Sequence, residues 1–268
     1  MKKILISMLM TAIAVLSITG CSHDSPLLPS KTFVLVHGGW QAPYVWQVVK
    51  HQLEARGQKV IVVELPAHGD DFTSPANVSI DVYRDKVIDV MQGIGGRVVL
   101  VGHSLGGVVV SAVAEKIPAK IEKLIYIAAF IPANGQSLLD LASTDQQSLL
   151  GPNLIPSKDQ LTLDVVHDNI ISIFCQDARP DVQQLVLEKY RVEPAIPFTN
   201  KVALTDENFG KVDKYYIHTL EDHALGLDLQ NQMVLAAHIT KVYSLNTSHS
   251  PFLSQPDEVT RLFLSIAK

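Results

Sequence analysis

Arg97-Val98-Val99-Leu100-Val101-Gly102-His103-Ser104-Leu105-Gly106-Gly107-Val108 joins a run of β-branched and apolar residues to a small-residue helix through one tight turn. A serine on a sharp strand-to-helix turn is lifted clear of the sheet and presented to solvent. Gly102 and Gly106 leave room for a strained backbone and for close helix packing, which larger side chains would obstruct. Ser104 is therefore a candidate nucleophile. A G-x-S-x-G pattern alone also arises by chance in glycine-rich loops; the strand before it and the helix after it give it chemical meaning.

Outward from this turn, short apolar runs alternate with helical stretches. Strands are expected at Thr32–His37, Lys59–Leu65, Arg97–Gly102, Lys123–Phe130, Lys214–Thr219 and Lys241–Leu245. Helices are expected near Trp46–Arg56, Ile80–Gln92, Gly106–Ile117, Leu229–Ala237 and Pro256–Ile266, each with apolar residues three and four apart. The alternation implies an α/β fold: a mostly parallel, doubly wound sheet of about six or more strands, covered on both faces. One stretch, about 131–204, interrupts it. It carries Pro132, Pro152, Pro156, Pro180, Pro194 and Pro197, has no clear strand, and offers amphipathic pieces at Leu161–Phe174 and Asp181–Tyr190. Insertions of this length are more often lids or substrate walls than inert loops, so a helical cap over the serine is expected.

The amino-terminal end suggests a compartment. Met1-Lys2-Lys3 is basic, Ile4–Ile18 is apolar and uncharged, and Ile18-Thr19-Gly20-Cys21 ends in small residues before a cysteine. Residues 1–20 read as a secretory leader and 21–30, rich in Ser and Pro, as a tether to a single domain at 31–268. The cleavage motif resembles the bacterial lipoprotein lipobox, which implies that Cys21 carries lipid and anchors the chain to the cell envelope. Ser22 after that cysteine resembles lipoproteins sent to the outer membrane. With Cys21 set aside only Cys175 remains, so no intrachain disulfide is expected and the fold must rest on its core. Without Lys2 and Lys3 there are 20 basic against 27 acidic residues, a formal charge near −7, which disfavours nucleic acid as a partner.

A serine hydroxyl is a poor nucleophile at neutral pH and needs a base, with a carboxylate to orient it. In an open parallel sheet the reacting groups gather beyond the carboxyl ends of the strands. Of ten histidines, His249 fits, following the last expected strand in Asn246-Thr247-Ser248-His249-Ser250. His218 falls inside a strand, while His51 and His167 fall on expected helices and His238 in or after one; His103 reads as a buried ring under the turn. The carboxylate should follow the penultimate strand. Asp222 is the first choice there and Glu221 the second, with Asp228 further into a helix start. The other reading of Asp222, as the cap of a helix from Ala224 onward, is compatible with the first. An oxyanion site is expected from the backbone N–H groups of Gly39, in His37-Gly38-Gly39-Trp40, and of Leu105. Trp40, Phe130 and Phe252 are the expected pocket walls.

Val36-His37-Gly38-Gly39-Trp40, Glu64-Leu65-Pro66-Ala67-His68-Gly69, Gly102–Gly107, Thr219-Leu220-Glu221-Asp222 and Ser248-His249-Ser250-Pro251-Phe252, in this order, resemble the α/β-hydrolase superfamily. Within it the pattern is similar to the branch of plant methylesterases, plant hydroxynitrile lyases and bacterial esterase relatives, and Phe130–Gly135 also looks like that branch. The resemblance implies a serine carboxylesterase acting through an acyl-enzyme on small to medium esters. The lyases carry a lysine after the histidine and a threonine in the first loop, where this chain has Ser250 and Gly38. Lacking that cation, lyase activity loses its electrostatic support. Cofactorless perhydrolase or acyltransfer chemistry, and a non-catalytic surface lipoprotein, are the other readings. No cofactor and no metal are expected, since no histidine and carboxylate group has ligand spacing, and the sequence implies no particular oligomeric state.

Overall fold

The computed structural model describes residues 30–268. The expected leader, Cys21 and nearly all of the expected tether lie outside the described residues. Six strands form one parallel sheet: β1 (Thr32–Val36), β2 (Lys59–Val63), β3 (Val98–His103), β4 (Ile121–Ile127), β8 (Lys214–Thr219) and β9 (Lys241–Leu245), in the order β2-β1-β3-β4-β8-β9. Three further strands, β5 (Leu154–Pro156), β6 (Thr162–Val165) and β7 (Glu193–Pro194), form a separate antiparallel sheet between β4 and β8.

The sequence period explains the layers. Along β1, Phe33 and Leu35 face one side of the sheet while Val34 and Val36 face the other. The first side packs on α1 (Gln47–Glu54) and α10 (Pro256–Ile266), whose Val259, Leu262, Phe263 and Ile266 make one apolar stripe. The second packs on α2 (Ile80–Gln92), α3 (Gly106–Lys116) and α8 (Leu227–Ala236). Every residue of β3 is buried, as a central strand covered on both faces requires. Its carboxyl end therefore opens at the middle of the sheet's rim.

Differences from expectation are local. β4 begins two residues earlier than expected and stops at Ile127, because Ala128 takes a left-handed φ of 46° that breaks the pleat. The insertion departs more. It does hold helices, α4 (Leu138–Ala142), α5 (Ile170–Phe174), α6 (Pro180–Lys189) and α7 (Ile196–Thr199). The expected strand-free cap is corrected, however: only the end of Leu161–Phe174 is helical, and Thr162–Val165 is a strand. Ser157-Lys158-Asp159-Gln160 turns the chain, with Asp159 Oδ1 accepting from the Ser157 hydroxyl at 2.6 Å and the Leu161 N–H at 3.1 Å. That turn pairs β5 with β6 before a helix can start. Among the described residues no helix is long and apolar enough to cross a membrane.

Candidate active site

Ser104 stands between β3 and α3 with φ 53°, a left-handed conformation unusual for a non-glycine residue. Three backbone hydrogen bonds hold it: its N–H donates to Ala128 O at 3.2 Å, and its carbonyl accepts from Gly107 N at 2.9 Å and Phe130 N at 3.1 Å. Strain of this kind persists only where the surroundings over-determine it. Trp40 (φ 56°), Ala67 (φ 66°) and Ala128 share the left-handed region, so strained residues follow β1, β2, β3 and β4 alike at one rim.

The loop after β1 presses against this turn. A Cβ built on Gly38 would lie 2.7 Å from both Ser104 Cβ and His103 Nδ1, so only glycine fits. Among the described residues neither the Gly39 nor the Leu105 N–H donates to a protein acceptor, whereas the neighbouring Trp40 N–H is taken.

Asp222 and His249 meet beyond β8 and β9. Asp222 Oδ2 accepts from His249 Nδ1 at 2.8 Å and from the Thr219 hydroxyl at 2.7 Å, and its Oδ1 accepts from the N–H groups of Ala224 and Leu225. Both side chains are buried. The fully buried Gln230 braces the turn, donating through Nε2 to Thr219 O and Leu225 O. Glu221 is exposed; its backbone N–H donates to Thr247 O at 3.0 Å. Asp228 lies in the first turn of α8.

His103 ties the two halves of the rim together. Its Nε2 donates to His249 O at 2.9 Å, and the two rings lie 4.6 Å apart. Burial, with His249 and His37 nearby, holds its pKa well below the usual histidine range, so the ring is neutral. His37 is likewise neutral, its pKa lowered to about 3 by burial and by His68, with Nδ1 donating to Gly38 O and Nε2 accepting from Leu65 N–H.

Trp40 stacks with Phe174 and Phe198 of the insertion, ring centroids 5.6 and 5.7 Å apart, and Phe174 lies 6.0 Å from the His249 ring. Phe130, after β4, is tied to the Ser104 turn by its N–H on Ser104 O at 3.1 Å. The expectation for Phe252 is corrected: its ring packs 4.2 Å from Trp46 and edge-on to His103 in the core layer under the turn, so it supports the floor and is no pocket wall. Phe174 and Phe198 went unrecognised because their approach to Trp40 is purely tertiary. So did Glu193 and His68, a buried pair 2.8 Å apart. Among the described residues no group of three or more His, Cys, Asp or Glu side chains is gathered as a metal site.

Comparison with known proteins places the chain among relatives. A profile described as "Alpha/beta hydrolase family" matches residues 33–262. The chain is 34% identical to "Putative methylesterase 11, chloroplastic" of Arabidopsis thaliana over 90% of its own length, and spans 65% of that relative. It is 28% identical to methylesterase 9 of the same plant, over 88% of this chain and 98% of the relative. The crystal structure of polyneuridine aldehyde esterase superposes with a TM-score of 0.76 at 25% identity, covering 89% of this chain and all of that one.

Proposed function

The chain belongs to the alpha/beta hydrolase family, and on that premise we propose that it is a serine carboxylesterase acting on small to medium esters. The carrying observation is the buried Asp222–His249 hydrogen bond at the same rim as the strained Ser104 turn. Asp222 on Nδ1 fixes the tautomer in which Nε2 is the basic nitrogen. Ser104 attacks the ester carbonyl as Nε2 takes its proton, and the N–H groups of Gly39 and Leu105 receive the charge that develops on the carbonyl oxygen. The imidazolium then protonates the departing alcohol, leaving the acyl group on Ser104. Water, activated by the same nitrogen, attacks the acyl carbon and releases the acid. Trp40 and Phe130, with Phe174 and Phe198 from the insertion, line an apolar approach.

The lyase reading lacks support at the position after the base. Ser250 is buried and its hydroxyl accepts from Gln41 Nε2 at 2.7 Å, a neutral contact with no cation for a leaving cyanide. The test is hydrolysis of p-nitrophenyl butyrate and labelling by a fluorophosphonate, each repeated with Ser104→Ala. Both should vanish; hydrolysis that survives the substitution overturns the assignment.

The lipid anchor belongs to the same proposal and rests on the sequence of residues 1–22: Cys21 carries the lipid that holds the enzyme in the cell envelope. Incorporation of labelled palmitate in a bacterial host should disappear in Cys21→Ala, and label that persists would sink the anchor.

A further inference from the structure

We propose that Glu193, carried by the insertion, is a positioning residue for the oxyanion site: its carboxylate fixes the Gly39–Trp40 backbone, and His68 neutralises that carboxylate. This rests on the esterase reading above and deepens it.

Glu193 is fully buried on the two-residue strand β7. Its Oε2 accepts from the Trp40 N–H at 2.7 Å and from His68 Nε2 at 2.8 Å, bonds that span 153 and 125 residues of sequence. Among the described residues its buried Oε1 has no hydrogen-bond partner, and the carboxylate's bonds go to these two groups. Trp40 is a bulky residue in a left-handed conformation and needs outside restraint. The insertion supplies four contacts to it: Glu193 on the backbone N–H, Leu163 O accepting from the indole N–H at 3.0 Å, and the rings of Phe174 and Phe198. With the Trp40 N–H engaged, the adjacent Gly39 N–H is still without a protein acceptor among the described residues. The carboxylate also abuts Gly39, since a Cβ built there would meet Glu193 Cδ and Oε2 at 3.3 Å.

A bare carboxylate beside Gly39 would oppose an oxyanion on the substrate, because charges in a buried site are poorly screened. His68 removes the conflict. Its Nδ1 faces Pro66 O at 3.0 Å and its Nε2 faces Glu193, so both ring nitrogens meet acceptors and the ring is held as an imidazolium. Burial pulls its pKa down, but the Glu193 charge and hydrogen bonds outweigh burial and raise it. Of the other groups around the pair, none hydrogen-bonds Glu193, and the Arg191 charge acts against protonation of His68 without outweighing Glu193. His37 is neutral, 4.9 Å away ring to ring; the Tyr83 ring lies 5.6 Å from His68; and Arg191 Nη1 donates to Gly69 O and Asp71 O. Those Arg191 bonds pin the segment before Glu193 onto the loop after β2.

The experiment compares Glu193→Ala, Glu193→Gln, His68→Ala and the double variant His68→Ala/Glu193→Gln with the unaltered protein. It measures kcat and KM on p-nitrophenyl butyrate, inhibition by an alkyl trifluoromethyl ketone that forms an oxyanion on Ser104, and inhibition by the matching methyl ketone. Glu193→Ala should lower kcat roughly 10- to 100-fold, with KM changed less than about threefold. Trifluoromethyl ketone affinity should fall in proportion to kcat/KM while methyl ketone affinity holds. His68→Ala should be as damaging as Glu193→Ala. Adding Glu193→Gln to it should recover activity, because the amide oxygen still accepts the Trp40 N–H and no unpaired charge remains. Near-isosteric Glu193→Gln and the double variant carry the test if Glu193→Ala does not fold. A loss confined to KM, unchanged trifluoromethyl ketone affinity, or no recovery in the double variant overturns the inference. Unaltered kcat in Glu193→Ala, with Ser104→Ala inactive, sinks this inference and leaves the esterase reading standing. Hydrolysis that survives Ser104→Ala sinks both.

Discussion

Asp222 Oδ2 lies 2.8 Å from His249 Nδ1, while Oδ1 of the same carboxylate accepts the N–H groups of Ala224 and Leu225, each at 2.8 Å. One side chain thus closes the turn after β8 and orients the candidate base. The two duties fix each other: the turn locks the carboxyl plane, and the locked plane aims one oxygen at the ring.

Asp222→Asn separates them. Its amide oxygen can keep the two turn N–H groups, which forces the amide NH2 toward His249 Nδ1 and drives the ring into the wrong tautomer. We expect kcat to fall by roughly 10³- to 10⁴-fold with little change in melting temperature. Steady-state kinetics on p-nitrophenyl butyrate that retain more than about a tenth of kcat would refute the pairing.

Gly107, the second residue of α3, lies against the chain after β4. A Cβ there would sit 2.3 Å from Phe130 O and 3.1 Å from Phe130 N, and that N–H also holds the Ser104 turn. Gly107→Ala should destabilise by several kcal/mol or prevent folding, as backbone clashes in a packed core do. A chemical-denaturation midpoint within error of the unaltered protein would show that the helix can retreat from the strand.

Acid should weaken the fold through His37. Its folded-state pKa is lowered from 6.5 to about 3, so between these values the unfolded chain holds a proton that the native chain lacks. The stability this group contributes is present above pH 6.5 and is lost as pH falls, by about 1.4 kcal/mol per pH unit. His103 and His218, also lowered, act in the same direction, whereas the raised His68 contributes stability below 6.5 that is lost as pH climbs through its folded value. Urea unfolding across pH 4 to 8 should show a flatter slope in His37→Gln, by about one proton. An unaltered slope would mean that residue 37 is protonated within the fold.

Cys175 is buried, and burial together with Asp177 raises its thiol pKa to about 12. Iodoacetamide at pH 8 should leave this thiol unmodified in native protein and alkylate it after unfolding. Mass mapping that finds a native adduct at Cys175 would contradict this burial.

The six-stranded core and the placement of Ser104, Asp222 and His249 were legible because their signals are local: apolar runs of strand length, glycines about a serine, polar loops just after strands. The insertion resisted for the same reason. Thr162-Leu163-Asp164-Val165 is too short to separate a two-residue period from a helical one, and only the hairpin with β5 settles it. Phe252 looked like a pocket wall beside His249, yet the turn of α9 (Pro251–Ser254) sends its ring down onto Trp46.

By itself the sequence determined which segments become the six strands of the main sheet, which turn carries the serine, and which loops follow β8 and β9, since each depends on contacts within a few residues. Only the tertiary structure decided that Glu193 reaches Trp40 and His68, that Phe174 and Phe198 enclose the Trp40 ring, and that His103 bridges to His249. Those contacts join residues far apart in the chain, and no local pattern encodes a meeting that packing of the insertion onto the sheet's rim brings about.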